Sequence, residues 1–134
     1  MKRFGLIGRP LVHSASAAYF TEKFAREGLS DHIYSLYELP SIEALPELLD
    51  REKETCGLNV TIPYKQVVIP YLDTLSDEAR AIGAVNCIRR TAEKGLEGFN
   101  TDIIGLREAL SELLGFAEPE EALILGTGGA SQAV

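Results

Sequence analysis

"GLNVTIPYK", residues Gly57–Lys65, is the stretch on which the fold turns. Its apolar and β-branched residues read as a strand. Pro63 stops that strand, because proline has no N–H to give to a sheet ladder. Lys65 follows just past the stop. In open α/β sheets, ligands sit outside the carboxyl ends of the strands. Asn59, Thr61 and Lys65 therefore stand where chemistry usually takes place. A lysine there can donate to a substrate hydroxyl or carbonyl and take part in proton transfer. The plainer alternative is a solvated lysine opening a helix.

Outward from this strand, the chain alternates. "RFGLIG" (3–8) and "HIYSLYEL" (32–39) read as further strands. Ser16–Glu27 between them reads as a helix with Phe20 and Phe24 on one apolar stripe, Ser14 or Ser16 as its cap and Gly28 as its stop. "SIEALPELLDREKE" (41–54) is helical in pattern, tightened at its start by Pro46. "YKQVVIPYL" (64–72) reads as a short helix ending near Pro70. "SDEARAIG" (76–83) reads as another, capped by Ser76 and stopped by Gly83. "AVNCIRR" and "LEGFN", joined by "TAEKG", form a hairpin-like pair. "TDIIGLREALSELLG" (101–115) is an amphipathic helix, and "FAEPEE" (116–121) a polar linker. "ALILG" (122–126) reads as a strand running into a glycine turn. Strands alternating with helices imply a three-layer α/β domain. Its open sheet is mostly parallel, with one antiparallel element and helices on both faces.

Composition narrows the function classes. The chain has 134 residues, 46% hydrophobic and 25% charged, which suits one ordinary globular unit. The formal net charge is −7 with no basic tract, which argues against nucleic acid as a partner. No apolar run reaches the length of a membrane span. Cys56 and Cys87 form no CxxC and no ligand cluster, so a metal site is not expected and reduced cytoplasmic thiols are.

Three further stretches carry chemistry. "HSAS" puts Ser14 and Ser16 near a helix N-terminus, where hydroxyls and free N–H groups suit a carboxylate or phosphate; simple capping is the alternative. "AVNCI" puts Asn86, whose amide needs partners, inside an apolar strand. "GFNTDIIG" puts Asn100, Thr101 and Asp102 between strand and helix. Asp102 is either an ordinary cap or the carboxylate that holds Lys65. His13 with a neighbouring serine lacks a nucleophile elbow and is set aside as a surface histidine. In "LGTGGASQAV", Gly126 permits a tight turn and Gly128 lets a pyrophosphate approach, but a third fingerprint glycine would fall at Ser131. Alone this turn is weak evidence.

Taken together, "HSAS", "GLNVTIPYK", "AIGAVNCI", "GFNTDIIG" and "LGTGGASQAV" resemble the shikimate dehydrogenases in order and spacing, over essentially the whole chain. The resemblance implies reversible, NADP-dependent reduction of 3-dehydroshikimate to shikimate in aromatic amino-acid (chorismate) biosynthesis. It implies Lys65 and Asp102 as catalytic residues, leaving open which is the formal acid/base. It implies Ser14, Ser16, Thr61 and Asn86 as substrate ligands, and Gly126, Gly128, Gly129 and Ala130 as the NADP turn. It implies residues 1–101 as the shikimate-binding catalytic domain, 102–118 as a linking helix and linker, and 119–134 as the start of a truncated Rossmann domain. It leaves a homodimer open. Ala17, Cys87, Thr127 and Gln132 depart from the family's usual residues. The family's cofactor domain also continues further, so the chain is expected to be a fragment able at most to bind substrate. Its terminal strand and turn, without packing partners of their own, are expected to be poorly ordered or borrowed into another contact. The alternatives are a quinate/shikimate dehydrogenase and a non-catalytic shikimate-binding module.

Overall fold

The structure is a computed structural model and describes residues 1–115 and 121–134. The elements in chain order are β1 (Lys2–Gly8), α1 (Ser16–Arg26), β2 (His32–Glu38), α2 (Leu45–Arg51), β3 (Thr55–Val60), β4 (Thr74–Leu75), α3 (Asp77–Ile82), β5 (Cys87–Thr91), β6 (Gly95–Phe99) and α4 (Asp102–Leu114). The strands form one six-stranded sheet in the order β2-β1-β3-β5-β6-β4. β1 pairs in parallel with β2 and β3, and β4 with β6, while β5 is antiparallel to both β3 and β6. The α/β sheet expected from the sequence is therefore present, with β5 as the antiparallel element.

Alternation along the strands divides the core in two. On one face Ile7, Leu58, Val60 and Ile88 pack with Leu45, Leu48 and Ala79, from α2 and α3. Each fully buried Leu, Ile or Val among them contributes roughly 1.5–3 kcal/mol. On the other face Leu6, Leu11 and Tyr34 pack with Phe20 and Phe24 of α1. Glycine is required where β1 lies against β2. A Cβ on Gly5 would collide with the Tyr37 ring and lie 2.6 Å from the Ser35 carbonyl oxygen.

Helix ends follow from local chemistry. Ser76 caps α3 by accepting the Ala79 N–H at 3.1 Å, and Gly83 ends it in the left-handed region at φ 71°. Pro46 stands in the first turn of α2, where its missing N–H costs nothing.

The structure departs from the expected elements in particular places. The segment 64–72 is not a regular helix but a series of turns closing in a 3₁₀ turn at Ile69–Tyr71. Its ladder is interrupted because the Lys65 carbonyl accepts the Val85 N–H at 2.7 Å, and the Ile69 N–H turns to Gln66. β4, only two residues long and without a periodic signal, was not anticipated. The segment 122–126 forms no strand, since among the described residues no neighbouring strand offers it hydrogen bonds. The terminal turn, expected to be poorly ordered or borrowed into another contact, forms a 3₁₀ turn at Ser131–Ala133, with Ala133 buried beside α4. One small apolar residue suffices for that contact, whereas a strand needs a partner. Most of the predicted linker 116–121 and the proposed boundary at 118/119 lie outside the described residues.

Candidate active site

The topology brings the chemistry to one edge of the sheet. β1, β3 and β6 run the same way, so their carboxyl ends lie together, and the amino end of antiparallel β5 joins them. Off this edge come the serine loop after β1, the turn after β3, Asn86 before β5, and Asn100–Asp102 after β6.

Lys65 Nζ donates to Asp102 Oδ2 at 2.7 Å, with the side chains 15% and 33% exposed. The other carboxylate oxygen, Oδ1, accepts from Asn86 Nδ2 at 2.7 Å. Both carboxylate oxygens are thus engaged, which fixes the carboxylate plane. Asn86 also accepts the Thr101 N–H at Oδ1 over 2.9 Å, so one amide ties the start of α4 to β5.

Neither Thr101 nor Asp102 caps α4 with its side chain. Asn100 supplies that bond: its Oδ1 accepts the Asp102 N–H at 3.0 Å, and its Nδ2 donates to the Ala84 carbonyl at 3.0 Å. Asn100 is only 3% exposed, and both ends of its amide are satisfied. Asp102 is released from capping and its carboxylate is free for Lys65.

Ser14, Ser16 and Thr61 line a single cavity of about 360 Å³ with Leu6, Leu11 and His13. The formal cap of α1 is Ala15, not a serine, and Ser14 Oγ accepts the Ser16 N–H at 3.2 Å. Thr61 is held by its N–H to the Ile7 carbonyl at 3.0 Å, and Gly8 leaves room for its methyl. Asn59, on β3 opposite Cys87, accepts the Tyr34 hydroxyl at Oδ1 over 2.8 Å. Cys56 and Cys87 are free thiols, and both line an apolar cavity of about 310 Å³ beside α1. Burial pushes the Cys87 thiol up, partly offset by Arg89.

The glycine turn lies against the lysine. A Cβ on Gly129 would stand 2.7 Å from Lys65 Cβ, so only glycine permits this approach. Gly126 (φ 122°) and Gly128 face open space where a side chain would stand. Among the described residues the N–H groups of Gly128, Gly129 and Ala130 meet no protein acceptor. Exposed backbone donors without side-chain obstruction suit the approach of a pyrophosphate. Among the described residues no cluster of His, Cys, Asp and Glu could hold a metal ion, and no helix is long and apolar enough to cross a membrane.

Sequence reading alone named Asn100 without its capping role and missed Tyr34. The only signal for Asn100 was an amide closing a strand just before Thr-Asp. Tyr34 carried none, because a tyrosine within an apolar strand reads as core.

A mixed sheet with a Lys–Asp–Asn cluster and a serine loop gathered at one edge defines an α/β small-molecule-binding domain. Residues 6–88 match the family described as the shikimate dehydrogenase substrate binding domain, and the chain belongs to it. The chain is 42% identical over 136 residues to the NADP(+) shikimate dehydrogenase of Pyrococcus abyssi, covering 100% of this chain and 49% of that one. It is 46% identical over 132 residues to that of Syntrophomonas wolfei, covering 97% and 44%. The shikimate 5-dehydrogenase of Thermus thermophilus, solved in complex with NADP(H) and shikimate, superposes with a TM-score of 0.85 at 40% identity, covering 100% and 50%. The chain thus spans about half the length of the curated relatives it matches.

Proposed function

We propose that this chain is the shikimate-binding part of an NADP-dependent shikimate dehydrogenase, acting in aromatic amino-acid biosynthesis. The observation that carries the reading is the Lys65–Asp102–Asn86 cluster, on the same sheet edge as the Ser14–Ser16–Thr61 cavity. Shikimate is a carboxylate at one end and a set of ring hydroxyls at the other. The serine and threonine hydroxyls suit the carboxylate, and the amide, carboxylate and ammonium suit the hydroxyls.

Reduction of a ring ketone places negative charge on its oxygen, which must then gain a proton. Lys65, held by Asp102, offers N–H donors to that oxygen; the Lys65–Asp102 pair delivers the proton in reduction and takes the same proton back in oxidation. The hydride is the chemistry that NADPH supplies when bound; Gly126, Gly128, Gly129 and Ala130 would hold its pyrophosphate. We assign residues 1–101 to substrate binding, 102–118 to the link and 119–134 to the cofactor side. A cytoplasmic setting and a homodimer belong to the same reading.

The test is calorimetric titration of shikimate and of quinate into the 134-residue chain, with a spectrophotometric assay for NADPH formation. Binding of shikimate in preference to quinate, without turnover by the chain alone, is expected. Failure to bind shikimate would sink the proposal.

A further inference from the structure

Tyr34 connects two parts of the site that the proposed chemistry leaves separate. It sits on β2, 7% exposed, with its ring stacked on Phe20 of α1 at 4.4 Å and 12°. Phe24 packs against Phe20 at 6.0 Å, so the ring is held in an aromatic cluster. A phenylalanine would fill this place equally well. What the tyrosine adds is a hydroxyl, and that hydroxyl donates to Asn59 Oδ1 at 2.8 Å, 25 residues away.

An amide has one accepting and one donating end. Once Oδ1 is taken by Tyr34, the Asn59 amide cannot turn over without losing that bond. Among the described residues no protein acceptor is bonded to Asn59 Nδ2. Asn59 is placed at the carboxyl end of β3, paired with Leu6 on one side and Cys87 on the other. It therefore stands between the strand that leads into the serine loop and the strand that follows Asn86.

We propose that Tyr34 is a positioning residue for substrate recognition: its hydroxyl holds the Asn59 amide so that Nδ2 is presented to an oxygen of the bound hydroxy acid. This rests on the shikimate-binding reading above. Burial supports the donor role, since it pushes the Tyr34 phenol up to about 12, with the nearby Ser16 hydroxyl only partly offsetting it. The hydroxyl keeps its proton throughout the neutral range.

Titrating shikimate into the wild-type chain, Tyr34→Phe, Asn59→Ala and the double variant tests this. Tyr34→Phe keeps the ring and is expected to weaken binding about three- to tenfold, the effect of one neutral hydrogen bond. In the Asn59→Ala background the same change should alter affinity by less than about twofold, because the two residues act as one unit. A purely structural tyrosine would weaken binding equally in both backgrounds, and that result overturns the proposal, as does wild-type affinity in Tyr34→Phe. An independent readout is the Asn59 side-chain ¹H–¹⁵N signal of the wild-type chain, which should shift on adding shikimate. A signal that stays put while shikimate binds also overturns it. If the wild-type chain does not bind shikimate at all, the functional reading falls, and this inference with it.

Discussion

Lys65 Nζ and Asp102 Oδ2 stand 2.7 Å apart although 37 residues separate them. The contact exists because β3 and β6 run in the same direction on either side of β5, so the turn after one meets the helix start after the other. The Lys65 backbone is tied to the same place: its carbonyl accepts from Val85, and the neighbouring Ala84 carbonyl accepts from Asn100.

Lys65→Ala and Asp102→Asn should each abolish most turnover where this domain is joined to a complete cofactor domain. A loss of about 10²–10⁴ in kcat is expected if the pair transfers the proton, with a smaller change in KM. Initial rates of NADPH formation from shikimate measure it. Turnover within about twofold of wild type in both variants would remove the pair from the mechanism.

Asn100→Ala should destabilise the chain by about 2–3 kcal/mol, because it leaves the Ala84 carbonyl and the Asp102 N–H without partners in a buried place. Urea unfolding followed by circular dichroism gives the value. A change below about 0.5 kcal/mol would mean that water replaces both bonds easily.

Gly8→Ala should disturb the substrate cavity as well as the fold. The added methyl would collide with the Thr61 methyl and lie 2.8 Å from Leu11 Cδ2 and 3.0 Å from the Ile62 carbonyl oxygen. Overpacking of this kind costs about 1–3 kcal/mol. A thermal melt should show the loss, and shikimate titration a weaker affinity. A variant with unchanged binding would show that Thr61 does not touch the ligand.

Alkaline pH should expose the burial of Tyr34. Its ordinary value is 10.0 and in the folded chain it is pushed up to about 12, chiefly by desolvation. Below about pH 10 both states hold the proton and the stabilisation is complete. Above that the unfolded chain gives up its proton first, so stability falls as pH rises toward about 12. The loss is on the order of 2–3 kcal/mol. Melting curves between pH 9 and 12 for wild type and Tyr34→Phe isolate it, since the other tyrosines are common to both. Parallel curves would contradict it.

Much of this architecture was legible in the sequence because it rests on local rules. Ser76 and Gly83 bound α3 as a cap and a left-handed stop should. β5 and β6 pair as the hairpin pattern requires. The segment 64–72 departed from its pattern because a non-local donor, the Val85 N–H, took the Lys65 carbonyl. The segment 122–126 has the residues of a strand but, among the described residues, no neighbour with which to pair. In each case the competing term came from another part of the chain.

The same division holds for the site. By itself the sequence determined which residue types are present at what spacing: two serines before a helix, a lysine past a strand, an aspartate at a helix start and a glycine turn. Those depend only on near neighbours along the chain. Tertiary structure alone decided that Asn100 takes over the capping of α4 and frees Asp102 for Lys65. It also decided that Tyr34 orients Asn59, and that Gly129 lies against the lysine stem. A hydrogen bond is set by ångström-scale placement in three dimensions. That placement exists only once β1, β3, β5 and β6 have paired in register.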